Sequence, residues 1–283
     1  MWHINRFAGV SAVAIALTLS SATRGQSLPT AADHVTAVRT LLPQLQWSDA
    51  KTHAGYDTTK ESTTSRVFKE IDAFITDSFP PATVTEGQVS TALTRLLNPP
   101  AATTVPTDPV FLVPLSTGVR FLIIGVDLPR GGRAIREDAV SFRAYRDDGA
   151  HFTFVAQTHD LHSSDANSPF LNHLSAKLVS PAPVSSEAWF FAMAEVPPAA
   201  PPLVAIRLYA FDGVAFRTVW APSDVRAEGS NGVIQLNSAG FVINTLVDPT
   251  GQAAGSPTVV RHEQYSLSAA GPTKVTDWQT DRQ

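Results

Sequence analysis

The chain has 283 residues, no cysteine and a formal net charge of −4 at pH 7, with 43% apolar and 16% charged residues. That balance excludes a disordered chain and leaves ample material for a core, and it gives no broad basic field for nucleic acid. The lack of cysteine excludes disulfides, thiol catalysis and thiolate-bound zinc.

Residues 1–22 read as a signal peptide. Arg6 supplies a positive start, Phe7 to Leu19 an apolar stretch, and Ser20-Ser21-Ala22 the small residues of a cleavage site. The apolar stretch falls short of the roughly 20 residues of a spanning helix. The expectation is an exported chain, periplasmic or extracellular, with no membrane span after cleavage.

Residues 28–98 carry a three-helix pattern. Thr30 caps a first helix with apolar positions at Val35, Val38, Leu41, Leu42 and Leu45, and Pro43 ends or kinks it. In the second, Val67, Phe68, Ile71, Phe74 and Ile75 form one stripe. Thr85-x-x-Gln88 is a capping-box pattern that opens the third, with Val89, Leu93, Leu96 and Leu97 as its apolar face. Residues 48–60 read as loop, and 98–109 as a stiff proline-rich linker at a domain boundary.

Residues 110–283 read as a β-repeat domain. Strand pairs flank Ser116-Thr117-Gly118, Asp148-Gly149 and Asp212-Gly213, and Asp-Gly between apolar runs is a strong hairpin signal. Strands at 174–180, 187–196, 233–236, 240–247, 259–267 and 273–278 complete three groups of four. A repeat underlies the grouping. Residues 143–155 are echoed by 207–219, with Arg, Tyr, Asp, Gly, Phe and Val identical at an offset of 64. A decayed third copy has Glu263-x-Tyr265 and Ala270-Gly271.

The expected fold is mainly β: antiparallel, propeller-like four-stranded repeats behind a small N-terminal helical region. A closed propeller needs at least about four blades. A β-sandwich or barrel is therefore the alternative, as is completion by a second chain. The stretch Tyr209-x-Phe211-Asp212-Gly213-x-x-Phe216-Arg217-x-x-Trp220, with Pro181-x-Pro183 and Glu187-x-Trp189, resembles exported bacterial proteins with a helical start and propeller-like β-repeats. That resemblance implies a fold and no chemistry.

Residues two apart in a strand share a face. Arg143 with Tyr145, and Arg207 with Tyr209, therefore form either a basic-aromatic surface for a glycan or anionic ligand, or inter-blade packing. Repetition favours packing, because one ligand rarely needs two copies. Asp148-Gly149 and Asp212-Gly213 have too few carboxylates for a calcium loop and read as type I′ turns.

The sharpest chemical candidate is the set His159, His162, Asp165 and His173. Imidazole and carboxylate are the ligands that a divalent transition metal uses where cysteine is absent. No other cofactor is implied. No Gly-x-Ser-x-Gly elbow, phosphate loop or His-Glu-x-x-His motif occurs.

The leading expectation is a non-enzymatic binding or interaction module of the periplasm or cell envelope, its partner a protein or envelope glycan. An exported hydrolase with the metal set in the 158–173 loop is one alternative. A structural subunit that completes its β domain by oligomerising is another.

Overall fold

The computed structural model describes residues 30–45, 63–97, 109–128, 140–158, 172–196, 202–247 and 259–281. The expected signal peptide and nearly all of the proline-rich linker lie outside them.

Helix α1 spans Ala31–Leu41 and runs into a 3₁₀ turn at Leu42–Leu45; α2 spans Thr63–Ser78 and α3 spans Glu86–Leu97. Pro43 lies in the 3₁₀ turn, where a tighter pattern replaces the α-helical ladder that proline cannot join. The Asp33 carboxylate accepts from the Thr30 main-chain N–H at 2.7 Å and its hydroxyl at 2.9 Å, fixing the start of α1. Thr85 and Gln88 form the reciprocal capping box, with bonds of 2.9 and 3.3 Å. Each expected apolar position of α2 and α3 is buried. On α1 the buried face is His34, Val38 and Leu41. The His34 ring sits between Glu70 at 2.7 Å and Asp77 at 3.2 Å, both on α2, which ties the two helices.

Three antiparallel sheets follow. Sheet A is the meander β1 (Val110–Pro114), β2 (Arg120–Asp127), β3 (Val140–Asp147) and β4 (Phe152–Gln157). Sheet B holds β5 (Asn172–Val179), β6 (Ala188–Val196), β7 (Leu203–Phe211) and β8 (Phe216–Trp220), with β9 (Val225–Arg226) sharing the same edge of β7. Sheet C is the meander β10 (Ile234–Asn237), β11 (Gly240–Val247), β12 (Val259–Ser268) and β13 (Gly271–Asp281). Among the described residues the chain is therefore mainly β, with three antiparallel sheets and three helices. β9 escapes the sequence pattern because two residues carry no alternation.

Strand alternation sorts the side chains into layers. On β2, Leu122, Ile124 and Val126 join the core of the helices, while Phe121 and Ile123 join a core with sheet B. On β6, Phe190, Ala192 and Ala194 face sheet A, while Trp189, Phe191 and Met193 join a core with sheet C. The strands of sheet B are thus apolar on both faces, as two-sided burial requires. The order of layers is helices, sheet A, sheet B, sheet C. The helical segment has no core of its own, since its apolar face is completed by sheet A. Gly125 lets sheets A and B close up: a Cβ there would lie 2.9 Å from the Phe142 ring and 3.0 Å from Leu174. Phe142 packs on Phe190 at 4.7 Å and Phe191 on Phe241 at 4.6 Å between ring centroids.

One polar cluster crosses the first interface. Arg143 on β3 is 3% exposed. Its Nε donates to Asp72 Oδ1 on α2 at 2.7 Å, and its terminal nitrogens donate to Asp72 Oδ2 and to Gln157. The Tyr145 hydroxyl donates to Asp72 Oδ1 at 2.7 Å. Phe68 and Phe154 cover the guanidinium, at 4.7 and 4.5 Å from their ring centroids. Burial, and then the Asp72 charge, push the Tyr145 hydroxyl well above its ordinary range, so it stays protonated and donates. Thr76 of α2 adds a bond to the Phe152 carbonyl at 2.8 Å.

The Asp-Gly hairpins differ from the expected type I′ turn. That turn needs positive φ at both central residues. Only the glycines have it, with φ of 92° at Gly149 and 97° at Gly213. Four residues separate the paired strands, 148–151 and 212–215. Asp148 N–H reaches the His151 carbonyl and Asp212 N–H the Ala215 carbonyl, so each glycine and the residue after it form the centre of the turn and the aspartate precedes it. Each aspartate side chain then closes its own turn. Asp148 Oδ1 accepts from Ala150 at 3.0 Å and His151 at 2.7 Å; Asp212 Oδ1 accepts from Val214 and Ala215, both at 2.8 Å. The amides of His151 and Ala150 hold the Asp148 carboxyl below its usual range, and those of Ala215 and Val214 do so for Asp212.

Two outcomes are expected. Asp72→Ala strips one partner from a buried pair and costs about 3–5 kcal/mol. Replacing both charges, as Asp72→Leu with Arg143→Met, costs far less; urea unfolding measures each. For the turns, the folded-state carboxyl values are depressed. Their stabilisation is complete above the unfolded value near 4 and drains away as pH falls through the folded value. Asp148→Asn with Asp212→Asn keeps an acceptor and removes the titration. That variant should lose less thermal stability than the parent between about pH 5 and pH 2.

Candidate functional site

Strand β5 opens irregularly. Its register with β6 shifts between Asn172 and Ser175, and His173 adopts φ of 51°. That conformation is disfavoured for a residue with a Cβ and persists only where contacts impose it. Three contacts do so. His173 Nδ1 meets Glu195 Oε2 at 2.8 Å, the Ser230 hydroxyl donates to the His173 carbonyl at 2.7 Å, and Ser230 N–H donates to Glu195 Oε1 at 3.2 Å. Glu195 comes from β6 and Ser230, buried, from the turn before β10.

The cluster directs one nitrogen. A carboxylate accepts, so Nδ1 is the donor of this contact, and in the neutral ring Nε2 is the atom left to accept or ligate. The His173 side chain is 58% exposed. From the next residue on, β5 lines an open cleft of about 440 Å³ with Leu174 and Ser175, together with Glu86 and Ser90 of α3, Phe111 of β1, and Asn231; His173 and Glu195 are not part of that lining. The volume falls within the roughly 300–1,000 Å³ of small-molecule sites. The cleft lies where the helical layer meets the edges of sheets A and B. Glu86 closes the edge of β1 there, accepting from Leu112 N–H at 2.7 Å. The Ser175 and Ser230 hydroxyls turn to the carbonyls of Met193 and His173, not to the imidazole. Neither of these two hydroxyls is thus paired with that ring as a nucleophile would be with its base.

Of the proposed metal set, His173 is described; His159, His162 and Asp165 lie outside the described residues. Among the described residues no group of three His, Asp or Glu side chains is placed to hold a metal ion. Arg143, Tyr145, Arg207 and Tyr209 are all buried, so none forms an open ligand surface. Arg143 and Tyr145 face α2. Tyr209 packs on Phe190 and Phe142, and Arg207 donates to the Ile206 carbonyl at 2.7 Å. The turn aspartates are committed to their own main chain.

Glu195 and Ser230 were not singled out in the sequence. The signal for Glu195 was present: it is the one charge in the apolar run Ala188-Trp-Phe-Phe-Ala-Met-Ala-Glu-Val196. A charge there demands a partner.

Searches of protein-family models, of curated proteins and of solved structures found no match to the chain.

His173→Gly is the direct check on backbone strain. Glycine adopts positive φ freely, and relief of an imposed left-handed residue is worth about 1 kcal/mol or more. The variant should be at least as stable as the parent in urea although it loses the Glu195 contact. A clear loss of stability would mean that the contact, and not the strain, dominates.

Proposed function

We propose that the chain is an exported, non-enzymatic binding module of the periplasm or cell envelope, built as an arc of propeller-like blades, with His173 and Glu195 as its ligand contact beside the cleft. The signal-like pattern of residues 1–22 supports export. The blade reading is supported by the three face-to-face meanders and by the repeat, which turns its tyrosine toward the preceding layer each time. The observation that carries the binding reading is the cleft of about 440 Å³ between α3, β1 and β5, with the imidazole held by Glu195 at 2.8 Å one residue along the chain from Leu174 of its lining. Pre-ordering a polar contact lowers the entropy cost of binding.

One observation favours a second reading. A carboxylate on one ring nitrogen is the usual support of a metal-ligating histidine. Glu195 stands in that relation to His173. A divalent ion held by His173 with His159, His162 and Asp165 would make the chain an exported metal-dependent hydrolase.

Binding and metal readings separate in two measurements. Soluble envelope fragments added to labelled protein should shift the resonances of His173 and Glu195, and His173→Ala should abolish the shifts. Unperturbed resonances across the fragments would remove the binding reading. Metal analysis of the mature protein, with and without His159→Ala and His162→Ala, decides the second. No bound metal and no change of thermal stability with chelator would exclude it.

A further inference from the structure

We propose that the outer face of sheet C is a second binding surface, one that takes a neutral glycan chain with Trp278 as its stacking platform. The inference goes beyond the cleft and does not depend on it. Register defines the face. Asn244, His262 and Trp278 are cross-strand neighbours in a row, as are Val242, Gln264 and Thr276. Phe241, Ile243 and Tyr265 alternate with these and form the face packed on sheet B. No layer follows sheet C among the described residues.

The two faces differ in charge. Arg261, Glu263, Lys274 and Asp277 all lie on the inner face and pair with one another, Arg261 with Asp277 at 2.6 Å and Lys274 with Glu263 at 2.7 Å. Among the described residues of β10 to β13, the outer face carries no Asp, Glu, Lys or Arg. Its polar groups are amides and hydroxyls, among them Gln235, Asn244, Gln264, Thr276 and Thr280. An exposed strand face ordinarily uses charge to stay soluble and to deter mispairing. Among the described residues charge is thus confined to the inner face; on the outer one Val242 and Leu246 of β11 are buried, and Thr276, Trp278 and Thr280 of β13 are exposed.

Trp278 stands on this neutral face, 44% exposed. Its ring stacks on His262 at 5.0 Å between centroids with an interplanar angle of 17°. His262 is itself fixed at both ring nitrogens, by Asn244 Oδ1 and by Thr280 Oγ1, each at 2.8 Å. The indole is thus held in place before any ligand arrives, with its exposed area away from His262. A preorganised apolar ring among uncharged donors and acceptors suits a ligand with apolar C–H faces and many hydroxyls. That is a neutral sugar chain. An anionic polymer would find no cation on this face.

Affinity electrophoresis of the full chain tests the proposal, with gels containing a soluble β-glucan, a galactomannan or dextran, and alginate as the anionic control. At least one neutral polysaccharide should retard the protein, and alginate should not. Trp278→Ala should weaken that binding by about tenfold, the scale of one aromatic stack. Thr276→Glu, which adds a charge to the same face, should weaken it too, and it decides the question if Trp278→Ala unfolds. In Trp278→Ala the resonances of His173 and Glu195 should keep their parent positions, which separates this surface from the cleft. The proposal is overturned if no neutral polysaccharide retards the protein or if alginate alone does. It is also overturned if both face variants bind as the parent does, or if light scattering shows a dimer that Trp278→Ala dissolves.

Discussion

The Arg143 guanidinium is almost wholly out of water, and what compensates its charge comes from another layer. Asp72 on α2 supplies the carboxylate, and Tyr145 shares it. Removing such a cation from water costs several kcal/mol unless the partner is in place. Sheet A therefore cannot be complete without α2. The apolar contacts agree, since Leu122, Ile124 and Val126 belong to the same core as Ile71 and Ile75. The helices act as the first layer of the stack and not as an appendage to it.

The repeat gains its meaning from that order. Tyr145 faces α2, Tyr209 faces sheet A and Tyr265 packs on Trp220 of sheet B. Each copy turns its tyrosine to the layer before it. The preceding layer differs, so the energetics differ. Against a helix that offers Asp72 the pattern yields a buried ion pair, and against another sheet it yields aromatic packing. In the third copy arginine has become Glu263, which joins a surface network with Arg261 and Lys274. Sheet C is the last layer among the described residues, and its far side follows different rules: neutral, amide-rich and carrying an exposed indole.

Much of this was readable in the residues. The apolar stripe of α2 and the Thr85–Gln88 box are local signals, and local signals survive folding. The strands were legible because Asp-Gly turns punctuate strong apolar runs. Neighbours across layers were not legible. Period two places Arg143 and Tyr145 on one face but does not say what covers it, and Asp72 in an amphipathic helix looks like any solvated carboxylate. The turn type was missed because Asp-Gly alone does not reveal that the loop closes two residues later, at His151 and Ala215. For the site, the histidine pattern led to His173, while its supporting partners come from distant strands and turns that only the fold brings together.

Native-state hydrogen exchange tests the central claim, that the helical layer and sheet A are one cooperative unit joined through Asp72 and Arg143. The most protected amides of α2, around Ile71, and of β3, around Tyr145, should exchange with the same opening free energy and the same denaturant dependence. Exchange of the α2 amides through a separate, lower-energy opening, with β3 still protected, would contradict the account.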